Sequence, residues 1–175
     1  FVNDLANTLR MGVCLVIARE QQCMYLDCID HPDPMYTPLQ YIGKQAPMHA
    51  TGSGKILLAS YTDAQVEEYI LHKGLTRYTE YTITDPERLL QELQNVREQG
   101  FAFDQEECEL GLKCVSYPIY DFSDSVYAAI SVFGNTAEMN EQPLREQVQS
   151  ELSKAARMIS LRLGWNGCGD EPGEL

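Results

Sequence analysis

Four groups of residues in this chain could do chemistry. Gly52-Ser53-Gly54-Lys55 opens an apolar segment, and glycines at a helix start let a ligand approach backbone amides that favour an anion. Asp104 directly follows the aromatic pair Phe101 and Phe103, where a strand end can aim a carboxylate at a cavity. Ser131 alternates with Ala129 and Phe133 along an apolar run, which puts the three on one face of a strand. A hydroxyl among apolar neighbours needs a partner to stay buried, and a ligand carboxylate would serve. Cys114 with His49 and Asp104 could form a nucleophilic relay, since Cys and His are an established pairing.

Each has a plainer structural reading. The glycines could simply permit tight helix-to-sheet packing. A phosphate loop requires Gly five positions before the GK glycine and Ser or Thr after the lysine; His49 and Ile56 stand there, against nucleotide hydrolysis. A single Cys is most often core filler and a single His a satisfied structural group. Lys55 is expected to reach out to solvent from its helix. Glu106, Glu107 and Glu109 read as a solvated acidic loop. Nothing in the spacing brings Cys114, His49 and Asp104 within hydrogen-bond reach, so the relay ranks below the binding readings.

The elements that must position these groups follow from periodicity. Gly12 to Ala18 and Cys23 to Asp30 read as strands across a polar turn. His31 to Pro38 should be irregular, because its prolines lack an amide donor. Gly52 to Ser60 reads as a short helix with Ile56, Leu57 and Leu58 inward. Thr62 with Gln65 forms a capping box before a second helix carrying Val66, Tyr69 and Ile70. A third begins near Asp85 with Pro86 in its first turn, buries Leu89, Leu93 and Val96, and stops at Gly100. The strand Phe101 to Phe103 follows, then a hairpin of Lys113 to Tyr120 and Val126 to Phe133. A helix from about Glu141 to Gly164 carries Leu144, Val148, Leu152, Ala155, Ile159 and Leu163 on one face. Strands, then helices, then strands and a final helix argue for the α+β class, a mostly antiparallel sheet flanked by helices.

The chain has 175 residues, enough for one domain, and a net charge of −13 from 26 acidic and 13 basic residues. Nucleic-acid affinity rests on cations neutralising phosphates, so this surface should repel DNA. Apolar runs such as Gly12 to Ala18 fall well short of the roughly 20 residues a membrane span needs. The start FVNDLANTLR has no leader pattern and no Met, as expected of a piece cut from a longer chain. Six cysteines at Cys14, Cys23, Cys28, Cys108, Cys114 and Cys168 show no CxxC knuckle, against a structural zinc, and with no leader pattern reduced thiols are expected. No metal or cofactor is expected. The tail from Trp165 to Leu175 has no apolar period and is expected to be disordered.

Two long blocks, PMHATGSGKILLAS (47 to 60) and GFAFDQEECELGLKCVSYPIYD (100 to 121), are similar in residue type, spacing and order to the ligand-binding domain of the IclR family of bacterial transcription regulators. The likeness runs from about residue 10 to residue 164. It implies a GAF/profilin-like fold for 10 to 164, with residues 1 to 9 ending a linker helix to a DNA-binding domain outside this chain. It also implies a non-enzymatic sensor, in which Gly52 and Ser53 offer backbone amides to an effector carboxylate. Asp104 would accept a hydrogen bond from the ligand, and Leu112, Cys114 and Ser131 would line the pocket. Phe133 departs from the pattern, standing where some members carry a second serine, so the pocket should be less polar or differently shaped there. The resemblance implies a cytoplasmic homodimer or homotetramer, touching DNA only through the other domain and not membranes. It further implies a small anionic effector such as a keto or sugar acid, and repression of a catabolic operon. The alternatives are a small hydrolase or isomerase acting on a carboxylate in the same pocket, and an interaction domain without a ligand.

Overall fold

Two residues set the first corner of the sheet. Glu20 and Gln21 both adopt left-handed backbone, φ 52° and 57°, the conformation that lets a two-residue turn follow the twist of paired strands. They join β1 (Gly12–Arg19) to β2 (Gln22–Ile29), with Arg19 opposite Gln22. The computed structural model describes residues 1–32 and 41–167. The irregular course expected for His31 to Pro38 lies mostly outside the described residues, and so does the tail from Cys168 onward.

The remaining strands are β3 (Gln45–Ala46), β4 (Ala102–Gln105), β5 (Leu112–Tyr120) and β6 (Val126–Asn135). They form one antiparallel sheet in the order β3-β2-β1-β6-β5-β4. On one face lie α2 (Gly52–Ala59), α3 (Asp63–Lys73) and α4 (Pro86–Gln99). Their Leu57, Leu58, Val66, Tyr69, Leu89 and Leu93 pack with Cys14, Val16, Tyr25, Ala129 and Phe133 of the sheet. On the other face lie α1 (Val2–Leu9) and α6 (Gln142–Arg162), whose Leu5, Leu9, Val148 and Leu152 cover Val13, Val115, Ile130 and Val132. With both faces covered, β6 is buried from Ala128 to Gly134, which is why YAAISVF reads as a continuous apolar run. This is the expected α+β, GAF/profilin-like arrangement.

Local chemistry starts and stops the helices where expected. Thr62 and Gln65 form the capping box of α3. Asp85 caps α4 through the Arg88 amide, Pro86 follows it, and Gly100 closes the helix at φ 77°. Four differences are physical. β4 runs to Gln105, so Asp104 sits inside a strand rather than after one. A five-residue helix, α5 (Thr136–Asn140), precedes α6, set by a capping box between Asn135 and Glu138. Leu163, counted on the buried stripe of the last helix, lies past its end and is exposed. Trp165, assigned to the tail, stacks on Tyr120 with centroids 5.0 Å apart and donates its indole N–H to Asp124 at 2.6 Å.

Helix α2 comes close to the chain that precedes it. A Cβ on Gly54 would overlap the backbone of Met48, which is buried and cannot turn aside as a side chain would. Gly54→Ala should therefore destabilise the protein by about 1 to 3 kcal/mol or more, the cost of forcing extra atoms into a filled interior. Denaturant titration reads this out, and parental stability in the variant would show that the approach is not tight.

Candidate functional site

Sheet register builds the floor of the site. Gly12, Phe133, Cys114 and Asp104 form one cross-strand row over β1, β6, β5 and β4. Cys14, Ser131, Ser116 and Ala102 form the next row on the same face, two residues along each strand. Gly12 has no side chain because the Phe133 ring occupies that space. Above these rows sits the N-terminus of α2. Thr51 caps it, accepting from the Gly54 amide at 3.2 Å and donating to the Pro47 carbonyl at 2.9 Å. The first amides of a helix have no acceptor within it and carry its positive dipole end.

A cavity of about 350 Å³ lies between floor and helix. Ser53, Asp104, Leu112, Cys114, Ser131 and Phe133 all line it, so residues as far apart in sequence as Ser53 and Phe133 share one cavity. Gly52 stands just behind. A Cβ there would come within 2.8 Å of the Ser116 hydroxyl and 2.9 Å of the Cys114 sulfur. Its amide acts on that sulfur, favouring the thiolate, and Ser53 Oγ meets Ser116 Oγ at 3.3 Å. Tyr25, Lys44, Thr51, Tyr78 and Cys108, none of them expected at the site, also line the cavity, and Glu109, expected on the surface, reaches its wall. Tyr25 was legible, because it alternates with Cys23 on the buried side of β2. Lys44 and Tyr78 lie on irregular connections and carry no periodic signal.

Two expectations about charge are corrected. Lys55 does not reach solvent: its side chain is 1% exposed, and Nζ bonds Glu107 at 2.7 Å and Glu92 at 2.8 Å. Glu107 is not surface but buried, with Oε1 on Lys55 and Oε2 unpaired among the described residues. Burial opposes the charge on Lys55, but the two carboxylates outweigh it and hold its pKa above the ordinary value. Thr79 and Thr82 donate to the carbonyls of Glu106 and Glu107 at 2.7 and 2.6 Å, tying the Tyr78 segment to the same corner.

Asp104 accepts the Glu107 amide at 2.7 Å, yet burial, reinforced by the Glu107 charge, pushes its pKa up to about 7. Burial, with Asp104 nearby, pushes the Cys114 thiol up to about 12, the reverse of what a nucleophile needs. The relay is not assembled. His49 Nδ1 meets the Tyr69 hydroxyl at 2.9 Å and Nε2 meets the Thr76 carbonyl at 3.0 Å, so both ring nitrogens are taken. Burial lowers the pKa of His49, as suits a neutral structural imidazole. The arrangement is suited to holding a small polar molecule rather than transforming one.

Residues 1–161 match the family model described as "Bacterial transcriptional regulator IclR C-terminal". The chain is 35% identical over 167 residues to the HTH-type transcriptional regulator KdgR of Escherichia coli, covering 94% of this chain and 62% of that protein. It is 34% identical over 149 residues to the transcriptional repressor IclR of the same organism, covering 85% of this chain and 51% of that one. The crystal structure of the KdgR C-terminal domain superposes with a TM-score of 0.82 at 34% identity, covering 94% of both chains. The inducer-binding domain of PobR from Acinetobacter, solved as a double mutant with 3-hydroxybenzoic acid, gives 0.84 at 28% identity, covering 91% of this chain and 93% of that one. The chain thus spans about half to three fifths of the curated relatives. Those relatives are regulators, not enzymes.

Lys55→Met should cost about 3 to 5 kcal/mol, because it leaves Glu107 buried without its cation; adding Glu107→Gln should restore part of the loss. Paired thermal melts of the single and double variants measure this, and equal melting temperatures for Lys55→Met and the parent would contradict the burial of the pair. Asp104 has a folded pKa raised above its unfolded value, so its stabilising contribution is complete below about pH 4 and is lost as pH rises through about 7. The neutral Asp104→Asn variant should therefore gain on the parent between pH 4 and 8, by on the order of 4 kcal/mol. A difference in unfolding free energy that stays flat across that range would refute the shift.

Proposed function

This chain belongs to the IclR C-terminal family of bacterial transcriptional regulators, and from that premise we propose that it is a sensor domain whose cavity holds a small anionic metabolite. The observation that carries the reading is the convergence of Ser53, Asp104, Cys114 and Ser131 on one cavity beneath the amide end of α2. The Ser53 amide and the hydroxyls of Ser53 and Ser131 take a carboxylate, with Gly52 behind them holding Cys114 in place. Asp104, on the far side of Cys114, takes a hydroxyl or hydrated carbonyl at the ligand's other end. Leu112 and Phe133 supply apolar wall. Phe133 also fills space over Gly12, so the ligand is short or flat. Small keto acids and sugar acids have this pattern of one anionic and one hydroxylated end. The complex of the PobR relative with a hydroxybenzoic acid is consistent with the same division of polarity.

In the whole regulator, DNA reading belongs to a segment outside this chain. The acidic balance of these residues, −13, and the 62% of the KdgR length that they span support that division. The effector acts by its differential affinity for DNA-competent and incompetent states of a cytoplasmic homo-oligomer, and repression of a catabolic operon is the role we assign.

A thermal-shift screen of keto, sugar and aromatic acids should find at least one that raises the melting temperature, a shift set by mass action. Calorimetry with that acid should show binding weakened at least several-fold in Ser131→Ala and in Asp104→Ala, with both variants still folded. Unchanged affinity in both would place the site elsewhere.

A further inference from the structure

Five cysteines among the described residues are thiols. Cys23 bonds to the Thr51 hydroxyl, Cys114 stands between Phe133 and Asp104, and Cys108 lies in the β4–β5 connection. Cys14 and Cys28 are different. They are direct cross-strand partners on β1 and β2, side chains on the same face, next to the bulge at Leu15 and Val16. Residues opposed in an antiparallel pair have Cα atoms about 4.5 to 5.5 Å apart. That lies inside the window of about 4.4 to 6.8 Å in which a disulfide closes without moving the backbone. Cys14 is wholly buried and Cys28 half-buried at the rim of the same core cluster, so a small reagent meets Cys28 first.

We propose that Cys14 and Cys28 are an oxidant-responsive pair: a small hydroperoxide oxidises Cys28, and Cys14 then closes a reversible disulfide. The Cys28 thiolate attacks one peroxide oxygen, the O–O bond breaks, and the leaving hydroxide takes a proton to become water (an alcohol if the peroxide is organic). Cys28 is then a sulfenic acid. The Cys14 sulfur attacks the Cys28 sulfur, the S–O bond breaks, and the oxygen leaves as water with the proton from Cys14. Two thiols and one hydrogen peroxide give one disulfide and two waters. The assignment of attacking and resolving thiols follows exposure. It also agrees with the hydrogen bond between them, which lowers the pKa of Cys28 and raises that of Cys14. Asp27 and Asp30 oppose the thiolate of Cys28 while Lys44 favours it, and Cys114 and Asp30 bear on Cys14. Cys14 is also the register partner of Ser131, so the cross-link fixes β1 and β2 beside a wall of the cavity.

The test treats the full chain with hydrogen peroxide and maps it without reduction. Trypsin cuts after Arg19 and chymotrypsin after Tyr25, which separates Cys14, Cys23 and Cys28 into different peptides. The expected product is a linked Cys14–Cys28 peptide pair, two hydrogens lighter than its parts and undone by dithiothreitol. It is absent in Cys28→Ser, a half-buried position where the exchange keeps the fold. In Cys14→Ser the Cys28 sulfenic acid should persist, and capture by dimedone should rise several-fold. The proposal is overturned if no linked pair forms, if Cys28 passes directly to sulfinic acid in the parent, or if the links involve Cys23, Cys108, Cys114, Cys168 or a second chain.

Discussion

The fold turns on one buried cation. Lys55 lies in the first turn of α2, a few residues from the amide end that faces the cavity, and both of its ion pairs leave the helix. Glu92 is on α4 and Glu107 is in the connection between β4 and β5. A buried ammonium is tolerated only where its partners are fixed, since desolvation otherwise exceeds the attraction. The interaction therefore demands that helix layer, sheet edge and connecting segment meet at one point. The remaining polar ties follow from it: Thr79 and Thr82 hold the Glu106 and Glu107 carbonyls, and Asp104 holds the Glu107 amide.

The cavity is a consequence of that meeting. One carboxylate, Glu107, is taken up by Lys55, while Asp104 next to it accepts the Glu107 amide and faces the cavity. Its pKa near 7 follows from burial beside a like charge rather than from any pairing. The site thus combines a positive dipole end at α2 with a proton-bearing acid opposite it, a polarity suited to a molecule with unlike ends. Cys114 sits between them with a thiol too weakly acidic for nucleophilic work, and serves as a spacer and as an acceptor for the Gly52 amide.

The same sheet carries its thiols in two settings. Cys114 and Cys23 are held by helix-start groups, Gly52 and Thr51, whereas Cys14 and Cys28 are held by each other. All lie on the face that bears the cavity, so strand geometry, ligand contacts and thiol chemistry share one surface. The opposite face, under α1 and α6, is apolar along most of its length and takes no part in this.

Periodicity and capping marked most of the elements from sequence alone, but not the two-residue strand β3 or the short helix α5. The capping box at Thr62, the proline-led start of α4, its glycine stop and the alternation around Ser131 are local interactions, complete within a few residues, and each lies where it was expected. The helix-start glycines beside Ser53 and the hydroxyl of Ser131 in an apolar strand stood out by residue type and Asp104 by its place at a strand end, whereas Cys114 entered the pocket reading only through the family resemblance. What only the tertiary structure decided was the partnership across the chain. Lys55 and Glu107 each look like surface charges, and nothing local distinguishes a lysine that meets solvent from one that meets two carboxylates 37 and 52 residues away. The row joining Phe133, Cys114 and Asp104, the facing of Cys14 and Cys28, and the entry of Tyr78 and Lys44 into the cavity depend on strand register and loop path. Those are set by long-range packing, whose energy belongs to pairs of segments and is written in neither one alone.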